Sequence, residues 1–318
     1  VTFRTIWLLI ALLWTSTLGA QTAPSFQTQY TGIYKIAYGN NAQTIATLSV
    51  DAVNNATRLE LWDAQTLAKT GTVAPEDALI QDMAFHPTAP YMVTTDSAGN
   101  VFFWEINTPE PLLQVKGHEG ATYAVYSPDG KYMVTNDASG VIVWDGLRFE
   151  PLYIFTLEAQ TDGFTQPALI NPESQLVAWL NEQNVLTIAD LTTGVVLSEE
   201  TLTAVTALVG LAWYDTISLA VINNGILESW DLATKQPNAR FTSDVDTVAF
   251  LFHPIVSQAI VANLDGTVTL WDTKSQSVLM RLKDTPQAVY ALALIPTGET
   301  LLIGSEGGFV EVIENLMP

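Results

Sequence analysis

The chain contains no cysteine. Disulfides, thiolate nucleophiles and cysteine-type zinc sites are therefore excluded, as is a lipid anchor on an N-terminal cysteine. Histidine is scarce: His86, His118 and His253 are too few and too scattered for a His-rich metal site. Basic residues are also few, with 12 Lys and Arg against 33 Asp and Glu, a net charge of −21. Binding to a nucleic-acid duplex needs a basic footprint that displaces counterions. Nucleic acid is therefore not an expected partner, and neither is an anionic membrane surface. High net charge of either sign also serves plain solubility. Missing as well are a G-x-S-x-G elbow, a metal-spaced His pair and a Gly-Lys phosphate loop.

One long apolar run exists, at the start. Residues 1–20 read VTFRTIWLLIALLWTSTLGA, with Arg4 ahead of an unbroken apolar stretch, Ile6 to Trp14, and small or polar residues up to Gly19 and Ala20. That order matches a secretory signal peptide. The run is too short for a spanning helix, which takes about 20 apolar residues. Leu18 is imperfect for cleavage after Ala20, whereas cleavage after Gly19 puts Thr17 three residues ahead of the cut. An uncleaved anchor is the alternative. Residues 21–318 are expected to form one soluble domain, secreted or periplasmic. Val1 fits a bacterial non-AUG start read literally, or a truncated record.

What is present is a repeat. The segments LELWD (59–63), VFFWE (101–105), VIVWD (141–145), LTIAD (186–190), LESWD (227–231), VTLWD (268–272) and VEVIE (310–314) share one pattern. Their fourth residues are Trp62, Trp104, Trp144, Ala189, Trp230, Trp271 and Ile313, at intervals of 42, 40, 45, 41, 41 and 42. The fifth is acidic every time. Pro87, Pro128, Pro172, Pro254 and Pro296 precede this column by 17, 16, 17, 17 and 17 residues. Proline lacks an amide donor, so it marks the exit from a strand into a turn. Further on come hairpin signals such as Ser139-Gly140, Asn224-Gly225 and Asp265-Gly266. Each unit reads as three strands ending in the Trp-acid pair, then a short fourth strand. Four antiparallel strands every 40 to 45 residues is a propeller blade. The expected fold is all-β, a seven-bladed β-propeller of four-stranded antiparallel blades. The last unit stops after its third strand, so an N-terminal strand around Phe26–Tyr30 is expected to complete it.

These features resemble the WD40-repeat family over residues 24–318. The resemblance rests on Trp62-Asp63, Trp144-Asp145, Trp230-Asp231 and Trp271-Asp272, and on the turn Ser127-Pro128-Asp129-Gly130. Gly117-His118 sits where the family often has a Gly-His pair. The fourth and seventh units depart from it, with Ala189 and Ile313 for Trp. The family's Asp-His-Ser/Thr-Trp hydrogen-bond network is not legible as a full set, so blade rigidity is expected to rest on apolar packing. The resemblance implies a scaffold that presents loops to proteins or peptides, without catalysis.

Candidate residues follow from the repeat. Trp62, Trp104, Trp144, Trp230 and Trp271 are expected to pack between blades; a sugar-binding platform is the alternative. His86 and His253, both before proline, read as caps of strand ends. The hairpin turns carry Asp96, Asp137, Glu182, Asp265 and Glu306, and loops leading into first strands add Asp162, Asp244, Asp246 and Asp284 on the same side. Local turn-forming accounts for many such acids. The sharper expectation is an acidic rim, with His118 and Phe164 beside it, that attracts a basic protein or peptide. No cofactor or metal is expected, and the chain is expected to be a monomer. The alternative is a propeller enzyme: a calcium-dependent lactonase-like hydrolase, or a quinone-dependent dehydrogenase hinted at by Thr192-Thr193-Gly194.

Overall fold

The computed structural model describes residues 24–316, except 31, 40, 52, 55, 74–78, 158–166, 182, 203–207, 214–217, 224–225, 232–235, 242–245, 254 and 285–286. For much of blade 5 it describes the backbone only. Residues 1–20, where the signal peptide is expected, lie outside the described residues.

The strands form seven four-stranded antiparallel sheets. Blade 1 shows the pattern: Gly32–Gly39, Thr44–Asp51, Ala56–Asp63 and Lys69–Val73 pair in chain order. Blades 2 to 6 repeat it between residues 80–116, 123–156, 169–201, 208–241 and 247–284. Blade 7 has three strands of its own, Val289–Leu294, Thr300–Ser305 and Phe309–Glu314. Its fourth is Ser25–Gln27, with Phe26 opposite Val310. The closing strand thus lies slightly N-terminal to the expected Phe26–Tyr30. Thr28 ends it: its N–H donates to Gly308 at 2.9 Å and its hydroxyl to the Tyr30 carbonyl at 2.6 Å. That turns the chain into blade 1 and keeps residues 29–30 out of the sheet.

The first strands of successive blades lie against one another all round, blade 7 meeting blade 1, so they line a central channel and the ring is closed. Second strands such as Tyr132–Asp137 are buried along nearly their whole length, because a neighbouring blade covers each face. Outer strands such as Pro151–Thr156 are exposed along most of theirs. Seven apolar clusters follow, one at each junction between blades. Trp62 packs with Phe26, Ile33 and Val310 between blades 7 and 1; Trp104 with Leu59 and Leu61 between blades 1 and 2. Trp144 packs with Phe103 between blades 2 and 3, and Trp271 with Ala220 and Leu227 between blades 5 and 6. Trp230 occupies the matching strand position in blade 5. At the junction of blades 3 and 4, where Ala189 leaves space, Trp179 of the second strand fills it, its ring 5.1 Å from Phe155.

The acid that ends the third strand has a local task in four of the blades. Asp63, Asp145, Asp190 and Asp272 each accept the main-chain N–H groups two and three residues on, at 2.6–3.2 Å. Each thereby shapes the turn into the outer strand, as Asp side chains do in turns. The residue four positions on, Leu67, Phe149, Gly194 or Gln276, takes positive φ to close that turn. The Thr192-Thr193-Gly194 fragment is the blade 4 copy of this turn, which accounts for it without a quinone.

Candidate functional site

The ring has two faces. The upper face carries the turns between second and third strands and the loops leading into first strands; the lower face carries the other turns. Blade 3 corrects the expectation that the hydrogen-bond network is incomplete. Trp144 Nε1 donates to Thr135 Oγ1 at 2.9 Å, Thr135 Oγ1 lies 2.7 Å from His118 Nε2, and His118 Nδ1 lies 3.2 Å from Asp137 Oδ1. With the Thr135 oxygen accepting from Trp144, its hydroxyl proton points to His118 Nε2. The histidine proton then sits on Nδ1, facing Asp137. Elsewhere the network is partial: Trp62 donates to Thr47, Trp104 to Thr94 and Trp271 to Thr269.

That chain of bonds consumes two residues expected on the rim, His118 and Asp137, which are 4% and 2% exposed; Asp96 of blade 2 is 3% exposed, so none of the three offers its side chain to a partner. Asp137 Oδ1 also accepts Ser139 and Gly140 N–H, and its Oδ2 accepts those of Glu119 and Gly120. Burial alone would raise the Asp137 carboxyl, but hydrogen bonds from His118 and Ser139 outweigh it and hold it well below the usual carboxylate range. Asp96 folds back in the same way on Ala98 and Asn100. Local turn chemistry wins at these two positions because the carboxylate is short enough to reach its own backbone.

Other acids of the upper face do stand out. Asp246, Asp265, Asp284, Glu306 and, beside His118, Glu119 are exposed. Asp265 accepts Thr267 N–H at 3.0 Å, and Asp284 pairs with Arg281 at 2.6 Å. Glu182, Asp162, Phe164 and Asp244 lie outside the described residues. The structure therefore brings only part of the expected rim to the surface.

Sequence reasoning missed a polar staple inside the channel. Lys35 of blade 1 forms an ion pair with buried Asp82 of blade 2, whose second oxygen accepts Ala124 N–H of blade 3 at 3.0 Å. Three blades are joined through one carboxylate. The signal available was a single charge in each of two first strands that are otherwise mostly apolar, Lys35 in GIYKIAYG and Asp82 in IQDMAF. At the lower end of the channel a cavity of about 380 Å³ is lined by apolar residues of blades 1, 6 and 7, among them Ile36, Phe252 and Leu294.

His86 and His253 are the caps expected. His86 Nδ1 accepts Thr88 and Ala89 N–H, and His253 Nδ1 accepts Ile255 and Val256 N–H. Each ring lies against a glycine of the next blade, Gly130 or Gly298, where a Cβ would fall 2.5 Å or 1.9 Å from it. Those glycines also have φ of 73° and 82°, which other residues rarely adopt. Burial holds His86 below its ordinary histidine value. Among the described residues no group of three or more His, Asp or Glu is placed to hold a metal ion.

The family model described as "WD domain, G-beta repeat" matches residues 109–145, the stretch that holds His118, Thr135, Asp137 and Trp144. Blade 3 carries a WD40 repeat, within a propeller of seven blades. It is similar to angio-associated migratory cell protein of Homo sapiens, with 23% identity over 78% of this chain and 62% of that protein. The Canis lupus familiaris protein of that name is 22% identical over the same share of this chain. A shorter match is to the LST8 homolog of Drosophila melanogaster, 26% identical over 26% of this chain and 30% of that protein. The WD40 propeller thus spans about three-fifths of the length of the first of these relatives, and all three are eukaryotic.

Proposed function

We propose that this WD40 propeller is an exported binding scaffold without chemistry of its own, which holds a protein or peptide with a basic surface against its upper face. WD40 propellers generally serve as scaffolds for protein interaction. The observation that carries the finer reading is the sorting of carboxylates: Asp96 and Asp137 are buried in their own turns, while Glu119, Asp246, Asp265 and Glu306 stand exposed on the same side. A one-sign surface steers an oppositely charged partner and gives salt-dependent association. Export rests on the order of Arg4 and the apolar run Ile6 to Trp14, and the exported chain acts as a monomer.

Immobilised protein challenged with an extracytoplasmic fraction should retain a basic protein at low salt. The triple change Glu119→Lys, Asp246→Lys and Glu306→Lys should release it, whereas Ile255→Lys on the lower face should not. Retention that ignores ionic strength, or that only the lower-face change abolishes, overturns the reading. A large calcium-dependent rise in thermal stability would instead favour the calcium-dependent hydrolase alternative.

A further inference from the structure

The outer strand of each blade offers an edge of unpaired main-chain N–H and C=O groups, and proteins blunt such edges with charge, proline or shortness. Five of the outer strands carry charge: Lys69 in blade 1, Lys116 in blade 2, Glu199 and Glu200 in blade 4, Arg240 in blade 5, and Arg281, Lys283 and Asp284 in blade 6. That of blade 7 is three residues long. Pro151–Thr156 of blade 3 has neither protection. Its proline stands at the first position and leaves the amides further along free to pair. Leu157 N–H donates to the Ser139 carbonyl at 2.9 Å, toward the blade. Amides alternate in direction along a strand, so those of Ile154 and Thr156 point outward.

Beside this edge lies an apolar cleft. Ile142 belongs to the cluster between blades 2 and 3, and Ile154 stands opposite it, on the same face of the sheet. Across the junction, Phe103 and Val101 of that cluster stand opposite Leu113 and Val115. The outer ends of the two blades thus wall a cleft with Leu113 and Val115 on one side and Ile154 on the other; Leu113 is 38% exposed and Ile154 67%. The strand's other face is fixed to blade 4, with the Tyr153 hydroxyl donating to the Thr192 carbonyl at 2.6 Å and Phe155 packed on Trp179. The edge is therefore preorganised. At its lower end Glu105, Glu110 and Glu150 stand exposed beside Arg148, an acidic excess. We infer that this edge receives one extended strand of a partner protein, which pairs antiparallel with Pro151–Thr156, lays apolar side chains at alternate positions into the cleft and is basic where it leaves at the lower end. Main-chain bonds supply affinity in such pairing, and the cleft selects side chains. Antiparallel pairing continues the pattern of the blade. With Pro151 at the bottom, it brings the partner's C-terminal residues to those carboxylates. The site lies on the side of the ring and stands apart from the upper face.

The probe is a fluorescein-labelled peptide, Thr-Val-Thr-Ile-Thr-Val-Lys-Lys, with a twin N-methylated at each internal residue, which keeps the side chains and removes the donors. Anisotropy on the full chain should show binding of the peptide and none of the twin. In hydrogen exchange the amides of Ile154 and Thr156 should gain protection when the peptide is added. Ile154→Lys, at an exposed position, should abolish binding and leave thermal unfolding unchanged. Ile154→Val should bind like the parent, and so should Leu279→Lys on the outer strand of blade 6. Binding that survives Ile154→Lys, or that the methylated twin shares, overturns the proposal, as does failure of the parent to bind. A dimer in sedimentation that Ile154→Lys dissolves would assign the edge to a second copy of this chain and overturn it too.

Discussion

Blades 3 and 4 are neighbours built by the same repeat, and they are held together differently. Blade 3 ties its second and third strands to the loop before its first strand through Trp144, Thr135, His118 and Asp137. Blade 4 has Ala189 in the Trp column, and its core is Trp179 stacked into an apolar cluster with Val177, Ala189 and Leu191. The Trp179 indole N–H has no partner among the described residues. A polar network fixes one geometry and is costly to break partway; an apolar cluster tolerates substitution as long as volume is kept. The family model's match falls on blade 3, which holds the full network. The network is a sequence signature, whereas packing volume can be supplied from either strand.

The comparison can be broken at several points. Trp179→Ala should be the most damaging, at about 4 kcal/mol in denaturant unfolding, since it empties the junction between blades 3 and 4. Trp179→Phe should recover most of that loss. Asp137→Ala should follow at about 3 kcal/mol, because it strands His118 and several buried N–H groups at once. Equal tolerance of both alanine changes would dissolve the distinction.

Acid should act on blade 3 selectively. The Asp137 carboxyl is depressed in the folded chain, so its stabilisation is complete above the unfolded carboxylate value, about 4, and is lost as pH falls below it. His86, at the junction of blades 2 and 3, is also depressed, and its contribution is complete above about 6.5 and fades as pH drops through its folded value. Hydrogen exchange followed from pH 7 downward should therefore show the junction of blades 2 and 3 loosening before that of blades 3 and 4. The smallest effect belongs to the exposed turn carboxylates: Asp63→Ala or Asp190→Ala should cost at most about 1 kcal/mol, and by similar amounts in both blade types.

Much of the architecture was legible because its markers are local. The Trp-acid pair recurs since the acid shapes the turn two to four residues ahead, as at Asp272 with Lys274 and Ser275. His86 and His253 were readable as caps for the same reason. The blade 3 network was not, although Gly117-His118 was noticed, because His118 reaches Asp137 only once loop and hairpin fold together across 19 residues. The Lys35–Asp82–Ala124 staple spans three blades, and its two charges, 47 residues apart, carry no spacing that would pair them. Among the acids expected on the rim, a sequence shows that an Asp lies in a turn, not whether it folds back on its own backbone, as Asp96 does, or faces outward, as Asp246 does.

The two faces and the seven junctions exist because the ring is shut by the strand Ser25–Gln27, with Phe26 packed 4.4 Å from Trp62. Thermal unfolding of a chain lacking residues 24–31, beside the parent, tests that directly. A broad, low-temperature transition is expected, with the junction of blades 7 and 1 exchanging first. A sharp transition at the parent's temperature would contradict closure as the source of the ring's cooperativity.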